Sequence, residues 1–223
     1  AETAREEQLA ETTSMGAGKD AGEPEAGKAQ ASAGAPAPHP GKPWLKSYPA
    51  NVPAEITPPA GSIGDFLAGI CKQHADRPAF ACMGKSISFG ELERYSAAFG
   101  AWLQAKGLAK GARVAIMMPN VLQYPVVMMG TLRAGYTVVN VNPLYTPREL
   151  EHQLKDSGAE AIVILENFAK TLQTVIAKTP VKHVVVATMG DMLGLKGLLV
   201  NLVVRRVKKL VPAWSLPGHI RFN

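Results

Sequence analysis

One stretch of the sequence carries glycine and lysine at a spacing that approaches a phosphate-binding loop. Such a loop has the pattern G-x-x-x-x-G-K-[ST], in which backbone N–H groups cradle phosphate and the last hydroxyl holds a magnesium ion. Gly22 to Lys28 matches most of this pattern, but Ala29 replaces the hydroxyl residue. Glu23 and Glu25 lie inside the loop and would repel phosphate. We therefore predict that this stretch binds no nucleotide.

The remaining side chains that commonly catalyse or bind metals are scattered along the chain. Two cysteines, Cys71 and Cys82, are too few for a disulfide framework and lack zinc-ligand spacing, which favours a reducing compartment. Glu149 and Glu151 fall in the first turn of a predicted helix, where negative charge favours the helix terminus. The five histidines have no partner at a recognisable spacing: His39, His74, His152, His183 and His219. We predict no catalytic, cofactor-binding or metal-binding residue in this chain.

The most distinctive text is VVNVNPLYTPRELEHQL, from Val138 to Leu154. It predicts a buried strand that leaves into an Asn-Pro turn, followed by a helix with Thr146 as cap. Open parallel sheets keep their ligand crevices at the carboxyl ends of strands. Asn140, Asn142 and Tyr145 are therefore weak site candidates, although a turn-forming role is favoured.

Strands and helices alternate through most of the chain, and the strands are nearly continuous apolar runs. Helices are predicted from Ser62, Ser88, Asn120 and Thr146 and near Phe168 to Ala177. Strands are predicted at Ala79–Cys82, Ser86–Ser88, Val114–Met118, Thr137–Val141, Ala161–Leu165 and Val184–Ala187. This alternation is typical of an α/β fold, with a mostly parallel sheet flanked by helices.

The first part of the chain differs in composition from the rest. Residues 1–42 are mainly Ala, Gly, Pro and Glu, with too few large apolar groups to offset the entropy of ordering, so we predict disorder there. Residues 43–59 are proline-rich and predicted to be extended, with Trp44, Leu45 and Tyr48 as anchors. Residues 43–223 then form one domain, or part of a larger one.

Charge is distributed unevenly as well. The net charge is +6 over 223 residues, but residues 1–42 carry −3 and the remainder carries +9. A basic folded part suits an anionic partner such as a nucleotide, a thioester cofactor, a phospholipid surface or nucleic acid. Nucleic acid is disfavoured because the charges form one short cluster without interleaved aromatic residues.

That cluster lies in the last long element, predicted as a helix from about Met192 to Leu210. Leu195, Leu199, Val203 and Leu210 share one side, and Asn201, Arg205 and Lys208 share the other. Two interpretations stay open: a helix packed on the core with solvated lysines, or a basic amphipathic helix on anionic lipid. The second makes four residues membrane-contact candidates: Arg205, Arg206, Lys208 and Lys209.

Three stretches resemble the bacterial long-chain fatty-acid CoA ligases of the adenylate-forming superfamily. They are PAFACMGKSISFGELERYSAAFGAWLQ, GARVAIMMPNVLQYPVVMMGTLRAGYTVVNVNPLYTPRELEHQLKDSGAEAIVIL and RRVKKLVPAWSLPG. The resemblance covers nearly all of residues 43–223. It implies the first part of the large N-terminal domain of an adenylate-forming (AMP-binding) enzyme.

The resemblance further implies ATP, Mg²⁺ and coenzyme A as cofactors and substrates of the full enzyme, with a long-chain fatty acid as the acyl donor. The family's phosphate-binding loop, ribose-binding Asp and catalytic lysine would all lie beyond Asn223. We therefore expect residues 1–223 to be inactive alone and poorly stable or self-associating, because an incomplete sheet exposes an unpaired edge. A cytoplasmic enzyme, peripheral at the inner membrane and able to form homo-oligomers, fits this interpretation.

Two alternatives remain at this stage. The chain is a stand-alone accessory module that binds anionic lipid, or it belongs to a ligase for medium-chain or aryl acids. Continuation of the coding region into a glycine-rich and threonine-rich loop would favour a ligase, and a stop after Asn223 would favour the accessory module.

Overall fold

A computed structural model describes residues 41–58 and 60–223. The chain divides into two compact units between Thr57 and Pro58. The stretch from Gly22 to Lys28 lies outside the described residues, as does nearly all of the segment predicted to be disordered. In the first unit, Pro43–Ser47 forms a 3₁₀ helix with no buried residue. The prediction of an extended, anchored segment is therefore wrong over these five residues.

The second unit begins with helix α1, Ile63–Gln73. Ser62 caps it in a reciprocal capping box, with the Asp65 N–H donating to the Ser62 hydroxyl over 3.1 Å. Strands β1 (Pro78–Cys82) and β2 (Lys85–Ser88) then form an antiparallel hairpin. Ser88 caps helix α2, Phe89–Gln104, through a second capping box.

The remaining chain alternates strand and helix, as the sequence predicts. The elements are β3 (Arg113–Met117), α3 (Gln123–Arg133), β4 (Thr137–Asn140), α4 (Pro147–Ser157), β5 (Ala161–Leu165), α5 (Ala169–Val175), β6 (His183–Ala187), α6 (Leu195–Leu202) and β7 (Ile220–Arg221). Short 3₁₀ turns flank α5 at Glu166–Phe168 and Ile176–Lys178. A π-helical turn, Val203–Val207, continues α6.

Five of these strands form one sheet in the order β4-β3-β5-β6-β7, and all neighbouring pairs are parallel. The predicted α/β class with a parallel sheet flanked by helices is confirmed. Because β4 lies on the opposite side of β3 from β5, the direction of winding changes beside β3. In open parallel sheets, ligands bind outside the carboxyl ends of the strands near such a point.

Alternate residues of the strands face two separate cores. One face packs against α4 and α5, with Leu150, Leu154 and Leu172 fully buried. The other packs against α2 and α3, where Leu103 and Val127 are fully buried. The helices on both faces hold the strands in place and leave the carboxyl edge of the sheet to the loops.

Helices α2 and α3 cross at two glycines. A Cβ added to Gly100 would lie 2.8 Å from the Gly130 carbonyl oxygen, and one added to Gly130 would lie 2.7 Å from the Ser96 carbonyl oxygen. Both separations are shorter than real Cβ atoms show. Main chain therefore contacts main chain at this crossing, and only glycine fits at either position.

Two predicted boundaries are corrected by the structure. Helix α3 begins at Gln123, three residues after the predicted start at Asn120, and no side chain caps it. The helix predicted from Met192 to Leu210 is a shorter helix, α6, followed by the π-helical turn.

Candidate functional site

A crevice of about 710 Å³ lies at the carboxyl ends of β5 and β6. Glu166 is the residue directly after β5, and Thr188 is the residue directly after β6. Asp191 and Asn201 add polar side chains, and the segment from Trp214 to His219 forms an opposite wall. The crevice occupies the edge of the sheet where parallel α/β folds bind ligands.

Glu166 and Arg205 form a bidentate ion pair in this crevice. Glu166 is 3% exposed. The Arg205 guanidinium donates from Nε to both carboxylate oxygens, at 2.9 and 3.0 Å, and from Nη2 to Oε2 at 2.7 Å. Hydrogen bonding to the Glu166 carboxylate raises the pKa of Arg205. A carboxylate this deeply buried requires such a partner, since an unpaired buried charge is strongly unfavourable.

Thr188 is the centre of a second polar group. Its backbone N–H donates to Asp191 Oδ2 over 2.7 Å, and its hydroxyl also donates to the Asp191 carboxylate. Asn201 donates to the Thr188 hydroxyl oxygen at 2.9 Å and accepts from the Gly190 N–H at 2.8 Å. The buried Gln123 donates to the Thr188 carbonyl at 2.7 Å, which ties the start of α3 to the end of β6.

These polar side chains are hydrogen-bonded to one another and to nearby backbone. The arrangement holds the loops at the carboxyl end of the sheet in place, and it does not activate a nucleophile. His219, the histidine on the crevice wall, has Nδ1 2.7 Å from the Leu216 carbonyl oxygen and packs edge-on against the Trp214 ring. No three His, Cys, Asp or Glu side chains within residues 41–58 and 60–223 form a group that could hold a metal ion.

A second crevice, of about 580 Å³, is more apolar. It lies against the helix α2 side of the sheet. Its apolar walls come from Ile87, Tyr95, Phe99, Trp102 and Phe222. Asp191 and Arg221 line both crevices, so the two adjoin at the end of β7.

The weak candidates from the Asn-Pro motif lie elsewhere, at the outer edge strand β4. Asn140 accepts from the Tyr124 hydroxyl at 2.9 Å, and Asn142 accepts from the Leu144 N–H at 3.0 Å in a side-chain-stabilised turn. Tyr145 packs on the core beneath α4. None of the three lines either crevice, and only Asn142 has the side-chain contact of a turn.

The polar side of helix α6, and not its leucine side, is turned toward the rest of the fold. Gly197 and Asn201 of α6 and Arg205 of the π-helical turn follow one another at four-residue intervals and contact the loops at the carboxyl end of the sheet, although the Arg205 side chain is still 46% exposed. A Cβ on Gly197 would lie 2.0 Å from the Gly190 carbonyl oxygen, so the helix backbone touches the preceding turn. Its leucines point into solvent instead: Leu195, Leu198, Leu199 and Leu202 are 89%, 72%, 62% and 55% exposed. The interpretation in which this leucine side packs on the core is therefore wrong.

The four predicted membrane-contact residues have different surroundings. Arg205 is held by Glu166 and turned toward the crevice. Arg206, Lys208 and Lys209 are exposed, and the described part of the chain offers them no ion-pair partner within 4.0 Å. Lys196, the second residue of α6, donates to the Met83 carbonyl in the β1–β2 turn at 2.6 Å. No helix among the described residues is long and apolar enough to cross a bilayer.

Sequence reasoning missed Glu166, Thr188 and Asp191. The available signal was position: Glu166 directly follows β5, Thr188 directly follows β6 and Asp191 lies three residues later, at the carboxyl end where a parallel sheet collects polar side chains. Nothing in the local pattern indicated that Arg205, which lies 39 residues after Glu166, would be its partner.

Comparison with known proteins identifies the family to which this fold corresponds. A family model described as AMP-binding enzyme matches residues 67–207. The chain is 57% identical over 185 residues to a long-chain-fatty-acid–CoA ligase of Yersinia pestis, covering 82% of this chain and 33% of the relative. It thus spans about a third of the length of the curated relatives it matches.

Solved structures agree on the fold. A long-chain-fatty-acid-CoA ligase from Archaeoglobus fulgidus is similar with a TM-score of 0.55 and 26% identity, over 59% of this chain and 28% of that one. An anthranilate CoA ligase in complex with anthranoyl-AMP is similar in fold, with a TM-score of 0.59 and 17% identity over 75% of this chain and 28% of that one. With the family model matching well over half of the residues and the parallel sheet matching in three dimensions, the chain belongs to the AMP-binding enzyme family.

Proposed function

We propose that the chain is the first part of the catalytic domain of a long-chain fatty-acid CoA ligase. The observation that carries this proposal is the 57% identity, over 185 residues, to relatives named as such ligases. The reaction would join a fatty acid to AMP from ATP, releasing diphosphate, and then transfer the acyl group to the thiol of coenzyme A. Use of ATP and coenzyme A favours a cytoplasmic site.

The described residues supply scaffold for this reaction. Attack of a carboxylate on the α-phosphate depends on positioning and on stabilising the charge that develops. The carboxyl edge of β5 and β6 is a rigid wall, because Glu166, Arg205, Thr188 and Asn201 are all hydrogen-bonded to one another or to the adjoining backbone. Such a wall can orient neighbouring parts of a larger domain.

Magnesium does not fit the described residues. Mg²⁺ prefers octahedral oxygen ligands, commonly one or two carboxylates together with substrate phosphates. Glu166 is occupied by Arg205 and Asp191 by Thr188, and the part of the chain that the structure describes has no cluster of three metal-ligating side chains. We therefore place no step that requires the metal on these residues.

An assay of the intact protein tests the proposal. Palmitate, octanoate and benzoate are supplied separately with Mg-ATP and coenzyme A, and acyl-CoA and AMP are measured. We expect the highest kcat/KM with palmitate, and no turnover from residues 1–223 alone. Preference for octanoate or benzoate would reassign the substrate to medium-chain or aryl acids, and no turnover with any acid would overturn the ligase proposal.

The second candidate is a module that binds anionic lipid without ligase chemistry. Its support is the exposed leucine side of α6 beside Arg206, Lys208 and Lys209, which are exposed and have no ion-pair partner among the described residues. In the same intact protein, lipid binding without turnover would favour this candidate.

Association between identical subunits is also part of the proposal, and light scattering at several concentrations measures it.

A further inference from the structure

The chain that ends helix α6 has an irregular backbone at two adjoining places. In the π-helical turn Val203–Val207, the Lys208 N–H donates to the Val203 carbonyl at 2.8 Å, five residues back instead of the four of an α-helix. Lys209 then has a φ of 51°, in the left-handed region that glycine occupies freely and other residues avoid. Such backbone outliers persist only where the surrounding structure holds them.

Two neighbouring residues at the carboxyl end of β5 hold this part of the chain. Glu166 accepts three hydrogen bonds from Arg205, which lies in the middle of the π-helical turn. Asn167 donates from Nδ2 to the Leu210 carbonyl at 3.2 Å, and the Leu210 N–H donates to the Val204 carbonyl at 3.0 Å. The turn is therefore fixed in its middle and just beyond its end. We call Glu166 and Asn167 the clamp.

The spacing of the polar contacts accounts for the extra residue in the turn. An α-helix rotates by about 100° per residue, so positions four apart drift by about 40° around its axis. Gly197 and Asn201 both contact the loops at the carboxyl end of the sheet. Continued α-helical geometry would carry Arg205 about 80° away from Gly197 around the axis. The wider π-helical turn rotates less at each residue and so brings Arg205 back toward Glu166.

We propose that the clamp holds the end of α6 in a strained hydrogen-bond register and thereby positions the chain that leads into the crevice wall. With the clamp closed, the last turn is π-helical and Lys208 donates to Val203. When the clamp is broken, the turn relaxes to α-helical geometry, in which the Lys208 N–H donates to the Val204 carbonyl four residues back. The chain after the turn then rotates by up to about 100°, the angle of one residue.

A separate contact limits how far this movement extends. The Ser215 N–H donates to Gln173 Oε1 of α5 at 3.0 Å, and Leu216 is buried in the core beneath α4 and α5. Relaxation therefore displaces residues 208–214, including the Trp214 end of the crevice wall, and leaves residues 215–223 in place. The proposal concerns these contacts alone and holds whether or not the ligase proposal is correct.

Hydrogen exchange of the intact protein, followed by mass spectrometry, tests the clamp. Arg205→Met removes the donor to the Glu166 carboxylate, and Asn167→Ala removes the donor to the Leu210 carbonyl. We expect protection of residues 203–214 to fall roughly 5- to 160-fold in Arg205→Met and roughly 2- to 12-fold in Asn167→Ala. Residues 215–223 and the sheet should lose less. A loss in residues 203–214 no larger than elsewhere would overturn the proposal.

Arg206→Met is the matched control for the arginine substitution. Arg206 occupies the next position of the same turn, is exposed, and has no ion-pair partner within 4.0 Å among the described residues. The same chemical change should there alter protection by less than about twofold. Equal losses in Arg205→Met and Arg206→Met would mean that the added apolar side chain, and not the broken clamp, is the cause.

Lys209→Gly tests whether the register is strained. Glycine adopts a positive φ without steric cost, so protection of residues 203–214 should rise roughly two- to fivefold. Lys208→Gly is the control, because Lys208 has a φ of −81°, and there glycine should lower protection by a similar factor. A fall in protection with Lys209→Gly would overturn the claim of strain.

A crystal structure of the intact Arg205→Met protein shows the register directly. We expect the Lys208 N–H within hydrogen-bonding distance of the Val204 carbonyl, a displaced Trp214, and Ser215 still bonded to Gln173. A structure in which Lys208 still donates to Val203 and Trp214 has not moved would overturn the proposal.

Discussion

Replacing Gly197 by Ala tests whether the main-chain contact beneath α6 fixes the helix. The added Cβ would lie 2.0 Å from the Gly190 carbonyl oxygen, whereas real Cβ atoms essentially never come within 3.0 Å of such an atom. The helix must therefore withdraw by about 1 Å, against the hydrogen bonds of Asn201 and Arg205. Overpacking of this kind costs about 1–3 kcal/mol.

Hydrogen exchange followed by mass spectrometry measures the effect locally. A loss of about 1–3 kcal/mol corresponds to roughly 5- to 160-fold less protection, at 1.36 kcal/mol for each factor of ten. We expect this loss in peptides covering residues 195–204 of the intact protein, with little change in the parallel sheet. We expect the loss of protection to stay within these peptides because α6 lies at the outside of the fold and only the crevice wall depends on its position.

Gly69→Ala is the matched control for this substitution. Gly69 also lies in a helix, α1, but an added Cβ would meet nothing within 4 Å. The same chemical change should there stabilise the helix by about 0.5–1 kcal/mol, because alanine loses less backbone entropy than glycine. Unchanged or increased protection of α6 in Gly197→Ala would refute the reasoning about the close contact.

Three further predictions concern other parts of the fold. Arg205→Met should lower the free energy of unfolding in urea by about 1–3 kcal/mol, because the Glu166 carboxylate, which is 3% exposed, loses the donor of its hydrogen bonds; adding Glu166→Gln should restore part of the loss, and no restoration would argue against the ion pair as the cause. Hydrogen bonds from Thr146 lower the pKa of Glu149, so its stabilising effect is present above the unfolded pKa of about 4.3 and is lost as the pH falls through the folded pKa. Glu149→Gln should therefore lower Tm at pH 7 and leave it nearly unchanged at pH 3; an equal drop at both pH values would contradict this. Leu103→Ala removes a side chain with no exposed surface and should cost about 2–5 kcal/mol in the same urea experiment, whereas a cost below about 1 kcal/mol would mean that the core beneath α2 is loosely packed.

Features encoded by neighbouring residues were predictable from the sequence. The caps Ser62, Ser88 and Thr146 act on residues three positions ahead, and all three capping boxes are present. Helix α3 lacks a side-chain cap, so its start was predicted three residues early. Strand β7 has two residues, too few for any alternating pattern.

The inward side of α6 could not be predicted for a different reason. An amphipathic period shows that a helix has two sides but not which one meets the protein. That choice depends on Glu166, Thr188 and Gly190, which lie on other elements and are brought to the helix only by the completed sheet. Among the described residues the inward side is the polar one, and the four leucines are exposed, which the period of the helix alone does not reveal.

The crossing of α2 and α3 has a mechanical consequence. With Gly100 and Gly130 in contact through their main chains, no layer of side chains lies between the helices to deform when one of them moves. Sliding by a single residue would drive a side chain against a carbonyl group, so the crossing has one permitted register. Relative movement of the two helices must then be a pivot about this point, and the hairpin that leads into α2 would swing with it.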